Sequence, residues 1–154
     1  MIFCGHYEGF DERIYKYFDE IISIGDYILT GGEPAAMAIV DSVSRLIPGV
    51  ISEESIKEES FDNGLLEYPQ YTEPYNFEGE KVPDILYSGN HTAISKRRKK
   101  KALELTRANR NDLFEKYPLS KNDIKLLNEL DNEETPKWEK DALEKGKKFI
   151  KNED

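Results

Sequence analysis

Residues 4–13, CGHYEGFDER, and residues 23–33, SIGDYILTGGE, decide how this chain is read. Gly5, Gly9, Gly25, Gly31 and Gly32 punctuate three loops, interleaved with Tyr7, Glu8, Asp26 and Tyr27. Taken singly the glycines say little, because Gly31-Gly32 suits a sharp strand-to-helix turn as readily as a ligand loop. Taken together they describe loops whose backbone amides and carbonyls can reach a ligand. The chain has neither the GxGxxG of a dinucleotide fold nor glycines followed by the GK[ST] of a phosphate-binding loop.

Working outward, Met1-Ile-Phe-Cys4 reads as the end of a buried strand that enters the first loop at Gly5. The segment after Gly9 places Ile14, Phe18 and Ile21 at helical spacing, with Asp11 as N-cap. IISIGDYILT reads as two short apolar runs broken at Gly25-Asp26. A helix is expected over 33–47, with Pro34 at a first helical position and a stop before Pro48-Gly49. Residues 51–80 are rich in Glu and Tyr and show no sustained period, as an ordered linker or lid would. From Ser88 a turn leads into a basic helix with Ala102, Leu103 and Leu105 on its apolar side, and a second helix is expected near KNDIKLLNEL. The charged stretch 131–154 suits an amphipathic or frayed terminal helix.

A length of 154 residues allows one core of ordinary size, or a compact domain with a helical appendage. With a mean hydropathy of -0.71 and no apolar run near the ~20 residues that span a bilayer, no membrane-spanning helix is expected. The lone Cys4 rules out an internal disulfide and fits a reducing, cytoplasmic setting. A formal charge of -9 argues against a general nucleic-acid coat, so any nucleic acid needs a local basic patch. The run Lys96-Arg97-Arg98-Lys99-Lys100-Lys101 is such a patch, reading as a phosphate contact or as a solvated helix surface. With only His6, His91 and Cys4 available as soft ligands, no zinc set assembles and no metal is assigned. Arg45, inside an otherwise apolar helix, either snorkels outward or faces a cleft. Glu58, Glu59, Asp62 and Glu67 flank SFDNGLLE, where a carboxylate can serve as a general base or simply be solvated.

The ordered set CGHYEGFDER, SIGDYILTGGE, DSVSRLIPGV, SFDNGLLEYPQYT and VPDILYSGNH resembles the bacterial tRNA (guanosine(37)-N1)-methyltransferase family, TrmD, over residues 1 to about 115. The resemblance implies an α/β SPOUT (trefoil-knot) methyltransferase domain, here its C-terminal part with the knot expected to be incomplete, followed by a small all-helical domain. It implies a partial cofactor domain over 1–50, a linker or lid over 51–87 and a helical tRNA-binding domain with a charged tail over 88–154. S-adenosylmethionine is the expected cofactor, held by Gly5, Tyr7 and Glu8 on one loop and by Ile24, Gly25, Asp26, Tyr27, Ile28, Leu29, Gly31 and Gly32 on the other. Arg45 matches the family's catalytic arginine. Glu59 stands where the family carries a catalytic aspartate, in a string that here reads Glu59-Ser60-Phe61. The resemblance assigns tRNA contacts to His91, Lys96, Arg97, Arg98, Lys99 and Lys100, although lysines replace the family's usual tryptophan and glutamine there.

The implied activity is methyl transfer from S-adenosylmethionine to N1 of the guanine 3′-adjacent to the tRNA anticodon, in a homodimer with sites shared between subunits. The family normally carries further strands and a cofactor loop before CGHYEG, so the chain is read as N-terminally truncated and weak or inactive alone. The alternatives are a non-catalytic tRNA-binding fragment and a dimerising fragment.

Overall fold

The computed structural model describes residues 1–51, 60–61, 63–132 and 135–147. The chain divides into two compact units, Met1–Ile56 and Lys57–Asp154.

In the first unit Asp11 caps a 3-10 turn, Glu12–Tyr17, its carboxylate accepting from the Arg13 amide at 2.9 Å. The helix expected there is this tight turn, which ends as Phe18 returns to extended backbone. Phe3, Phe10 and Tyr15 surround the Phe18 ring, with centroids 5.3, 5.5 and 5.8 Å away. Helix α1, Glu33–Ser44, opens with Pro in its first turn and closes three residues short of expectation. Leu46 and Ile47 donate to Val43 and Ser44, a tightening of the last turn before Pro48.

Residues 1–5 form no strand. A strand needs a neighbour to take its hydrogen bonds. Among the described residues the first loop makes the isolated antiparallel bridge His6–Gly31 and no strand ladder. No described residue of this unit is buried, and Ile2, Phe3, Ile21, Ile22, Met37 and Leu46 are all exposed. So short a segment cannot enclose a core by itself.

The second unit does have cores. Helix α2, His91–Asn109, starts on Asn90, whose side chain accepts from the Ala93 amide at 3.1 Å. Its buried positions Ala93, Lys100, Leu103 and Thr106 recur at helical spacing. The helix breaks at Arg110, and a single turn α3, Asn111–Phe114, follows. Helix α4, Lys121–Asp131, opens with a reciprocal capping box: Ser120 Oγ accepts from the Asp123 amide at 3.2 Å, and the Asp123 carboxylate accepts from the Ser120 amide at 2.9 Å. Helix α5 is Lys137–Gly146.

Leu65, Ala102, Leu103, Leu126 and Leu127 make one apolar cluster. Each buried leucine there contributes about 1.5–3 kcal/mol. Thr106 Oγ1 fastens the segment before α2 to this core, accepting from the Leu66 amide at 2.9 Å while donating to the Ala102 carbonyl at 2.7 Å. A second cluster joins Ile85, Ala93 and Ala142, with Leu86, Trp138 and Leu143 against it.

The Glu- and Tyr-rich stretch thus packs on the helices over its second half. It contains a two-stranded antiparallel ribbon, β1 Asn76–Phe77 and β2 Glu80–Lys81, that hydrophobic periodicity could not reveal in elements so short. Glu78 and Gly79 turn it with φ of 53° and 93°, the left-handed pair that matches strand twist. A 3-10 turn, Asp84–Tyr87, then leads into α2.

Candidate functional site

In the first unit the two glycine loops meet. The Gly32 amide donates to the Gly5 carbonyl at 3.3 Å, and His6 bridges Gly31. A Cβ at Gly32 would lie 3.1 Å from both Cα and Cβ of Cys4, so any side chain there would push the loops apart by a few tenths of an ångström. His6 Nε2 adds a 2.6 Å contact to Glu33 Oε1, with both groups half in water, where such a pair contributes at most ~1 kcal/mol.

Beside this junction lies a cleft of about 420 Å³. Phe3, Phe10 and Phe18 give it apolar walls, Gly5 and Gly32 bring backbone to it, and the exposed acidic residues Asp19 and Glu20 border it. The rest of the expected cofactor set is not gathered here. Tyr7 and Ile28 are fully exposed, and Gly25, Asp26, Tyr27 and Leu29 lie on an exposed loop that does not line the cleft. Ser23 Oγ holds that loop locally, accepting from the Gly25 amide at 3.3 Å. Glu8 and Ile24 are also exposed.

Arg45 is half-buried and immediately follows α1, its amide donating to the Asp41 carbonyl at 3.2 Å. Glu58, Glu59 and Asp62 lie outside the described residues.

The basic run on α2 is where tertiary structure adds most. Lys96 and Lys100 both approach Glu129 of α4, each with Nζ 3.8 Å from a carboxylate oxygen. Lys96 Nζ also lies 4.4 Å over the Trp138 ring, whose Nε1 donates to Glu129 at 2.9 Å. Arg97 pairs with the buried Glu139 of α5. The Arg98 guanidinium covers the Tyr68 ring at 4.7 Å, Lys99 donates to Tyr117 Oη at 2.6 Å, and Lys101 pairs with Glu104 at 2.6 Å. His91 stands exposed at the first position of α2. The run therefore faces several helices at once, and its charge is partly met by carboxylates of this same unit.

The resemblance could not have found Glu129, Glu139 and Trp138, because all three lie beyond it. The complementary signs of α2 and of the later helices were the available signal.

The match to a family model now bears on these loops. The model described as tRNA (Guanine-1)-methyltransferase TrmD matches residues 1–116. This chain belongs to the TrmD family. The match runs through both glycine loops, Arg45 and the basic run of α2. A Clostridium perfringens protein named tRNA (guanine-N(1)-)-methyltransferase is 62% identical over 125 residues, 80% of this chain and 53% of that protein. Identically named proteins from Malacoplasma penetrans and Clostridium acetobutylicum are 66% identical over 117 residues and 60% identical over 134. These cover 76% and 86% of this chain, and 52% and 54% of the relatives. The chain thus spans about half the length of the curated TrmD relatives it matches. No helix among the described residues is long and apolar enough to cross a membrane.

Proposed function

We propose that this chain carries cofactor loops and tRNA-gripping helices of an S-adenosylmethionine-dependent enzyme that methylates N1 of the guanine 3′-adjacent to the tRNA anticodon. The observation that carries the reading is the junction of the two glycine loops at Gly5 and Gly32, in a chain of the TrmD family. In fold terms the proposal is the C-terminal part of a SPOUT trefoil-knot domain over 1–50, a joining segment over 51–87 and a helical tRNA-binding part over 88–154. The enzyme works as a cytoplasmic homodimer with sites shared between subunits.

The residues at the junction fit the cofactor in kind. Apolar walls from Phe3, Phe10 and Phe18 suit its adenosyl and methionyl parts, and Asp19 and Glu20 bring negative charge to a sulfonium cation. Gly5, Tyr7 and Glu8 would hold it from one loop and Ile24–Leu29, Gly31 and Gly32 from the other. S-adenosylmethionine supplies a methyl carbon that is already electrophilic. The protein's task is then to orient the guanine and manage its proton. Glu59 accepts the N1 proton, and Arg45 stabilises the negative charge that develops on O6. His91, Lys96, Arg97, Arg98, Lys99 and Lys100 hold the tRNA.

Calorimetric titration with S-adenosylhomocysteine tests the cofactor assignment. The parent chain should bind it and Gly32→Val should not, because the added side chain would separate the loops at Cys4. No binding by the parent, or equal binding by the variant, overturns the assignment. Methylation of tRNA by the isolated 154-residue chain should be weak or absent. Ready turnover would overturn that part.

A second reading, tRNA binding without catalysis, is favoured by one contrast. The second unit has two apolar clusters, whereas no described residue of the first is buried. Salt-sensitive tRNA binding without cofactor binding would select it.

A further inference from the structure

A cleft of about 370 Å³ opens on the helical unit, between residues 68–71, the Asp84–Tyr87 turn and the first turns of α2. Buried Val82 and half-buried Leu86 give it an apolar lining, and Tyr68, Tyr71 and Tyr87 supply three aromatic rings. Two of these rings are fixed from behind. Tyr87 meets Tyr75 edge-on with centroids 5.5 Å apart, and Tyr75 Oη donates to Asp84, an arrangement that pushes the Tyr75 phenol ionisation up. Tyr68 lies under the Arg98 guanidinium. Tyr71 is 49% exposed and so presents ring surface to a ligand.

The charge pattern is equally selective. The chain has 31 acidic residues against 22 lysines and arginines, yet among the described residues that line this cleft none is acidic. His91 and Arg98 line it as basic side chains, Ser95 adds a hydroxyl, and Gln70 keeps its amide oxygen while its Nε2 donates to Glu67 at 2.7 Å. His91 stands at the N-terminus of a 19-residue helix, where the helix dipole also favours an anion. Aromatic surface, a few donors and acceptors, and cationic side chains in the lining are what an unstacked nucleotide requires. A general anion site would have no use for three tyrosines.

We infer that this cleft receives one unstacked base of single-stranded RNA, stacked on its tyrosines, with the adjoining phosphate directed to His91 and Arg98. The inference rests on the tRNA reading above and adds to it a seat for a single nucleotide. It separates two jobs on α2: the lysines contribute long-range attraction, while the cleft grips a base.

The test uses the full chain and a fluorescein-labelled anticodon stem-loop RNA, followed by anisotropy across a salt series. Tyr71→Ala should weaken binding roughly 5- to 100-fold, the range of one lost base–aromatic stack, while Tyr71→Phe stays close to the parent. The salt slope should not change, because no cation is removed. Parental affinity in Tyr71→Ala, with salt-dependent binding intact, overturns the seat and leaves the tRNA reading standing. If the parent does not bind the stem-loop, the tRNA reading fails, and GMP and UMP decide the seat. His91 is one of two histidines, so its imidazole proton resonances can be followed directly. Nucleotide-induced shifts of these resonances that disappear in Tyr71→Ala support the seat. No shifts, or equal shifts with inorganic phosphate, overturn it.

Discussion

Gly146→Ala sets two opposing effects against each other. Replacing glycine by alanine inside a helix ordinarily gains up to ~1 kcal/mol, and less at a last helical residue such as this one. The new methyl group, however, would sit 2.6 Å from Ser88 Cα, 2.7 Å from its Cβ and 2.9 Å from its carbonyl oxygen. Two of those atoms are backbone and cannot rotate away, so α5 must shift off the segment that precedes α2. Overpacking of this kind costs about 1–3 kcal/mol. The clash therefore wins, for a net loss of about 1–2 kcal/mol. In a domain of this size that corresponds to a fall in Tm of roughly 4–15 °C.

Equilibrium urea unfolding reports this through Trp138, the sole tryptophan, which lies on α5 and donates to Glu129. The variant should unfold at lower denaturant, and its native emission should shift to the red as the indole gains water. Lys145→Ala, at an exposed position of the same helix, controls for helix propensity alone. A Gly146→Ala protein as stable as the parent, or more so, would refute the packing of α5 against Ser88.

Two further outcomes follow from the same unit. Leu103→Ala, at a fully buried position between Leu65 and the leucines of α4, should cost about 2–5 kcal/mol in urea unfolding, and a loss under 1 kcal/mol would remove Leu103 from the centre of the core. Arg110 Nε and Nη2 donate to the two Asp112 oxygens at 2.8 and 2.7 Å and lower that carboxyl from 3.8 to about 2. A carboxyl depressed in the folded state stabilises the fold above its unfolded pKa and loses that effect as pH falls through its folded one. The difference in unfolding midpoint between the parent and Asp112→Asn should therefore be constant from pH 7 to about 5 and shrink between about 4 and 2. A difference that persists to pH 2 would show that the ion pair is not its source.

Much of the local structure was legible without tertiary information. Asp11, expected as a cap, caps its turn because its carboxylate reaches an amide two residues on, and Asn90 and Ser120, not among the expected caps, act in the same way. Pro34 suits the start of α1 because its missing N–H has no intrahelical partner to lose. Expectation failed where the outcome depends on partners distant in sequence. Met1–Cys4 has the composition of a buried strand, yet composition supplies no neighbouring strand. Residues 51–80 show no sustained period, yet Leu65 within them and Ile85 just beyond anchor two cores through contacts with later helices.

The chemistry of the glycine loops was set by the sequence itself. Which backbone positions lack a Cβ, and so can approach one another or a ligand, is a property of each residue, and the family match extends through those same loops. The environment of the six charges at 96–101 was decided only by the tertiary structure. Glu129 and Glu139 reach Lys96, Arg97 and Lys100 because α4 and α5 fold back onto α2. A charge's surroundings depend on what packs beside it, which residue order alone does not contain. The cleft of Tyr68, Tyr71 and Tyr87 belongs to the same class, since its rings converge only once the segment before α2 has docked on the helices.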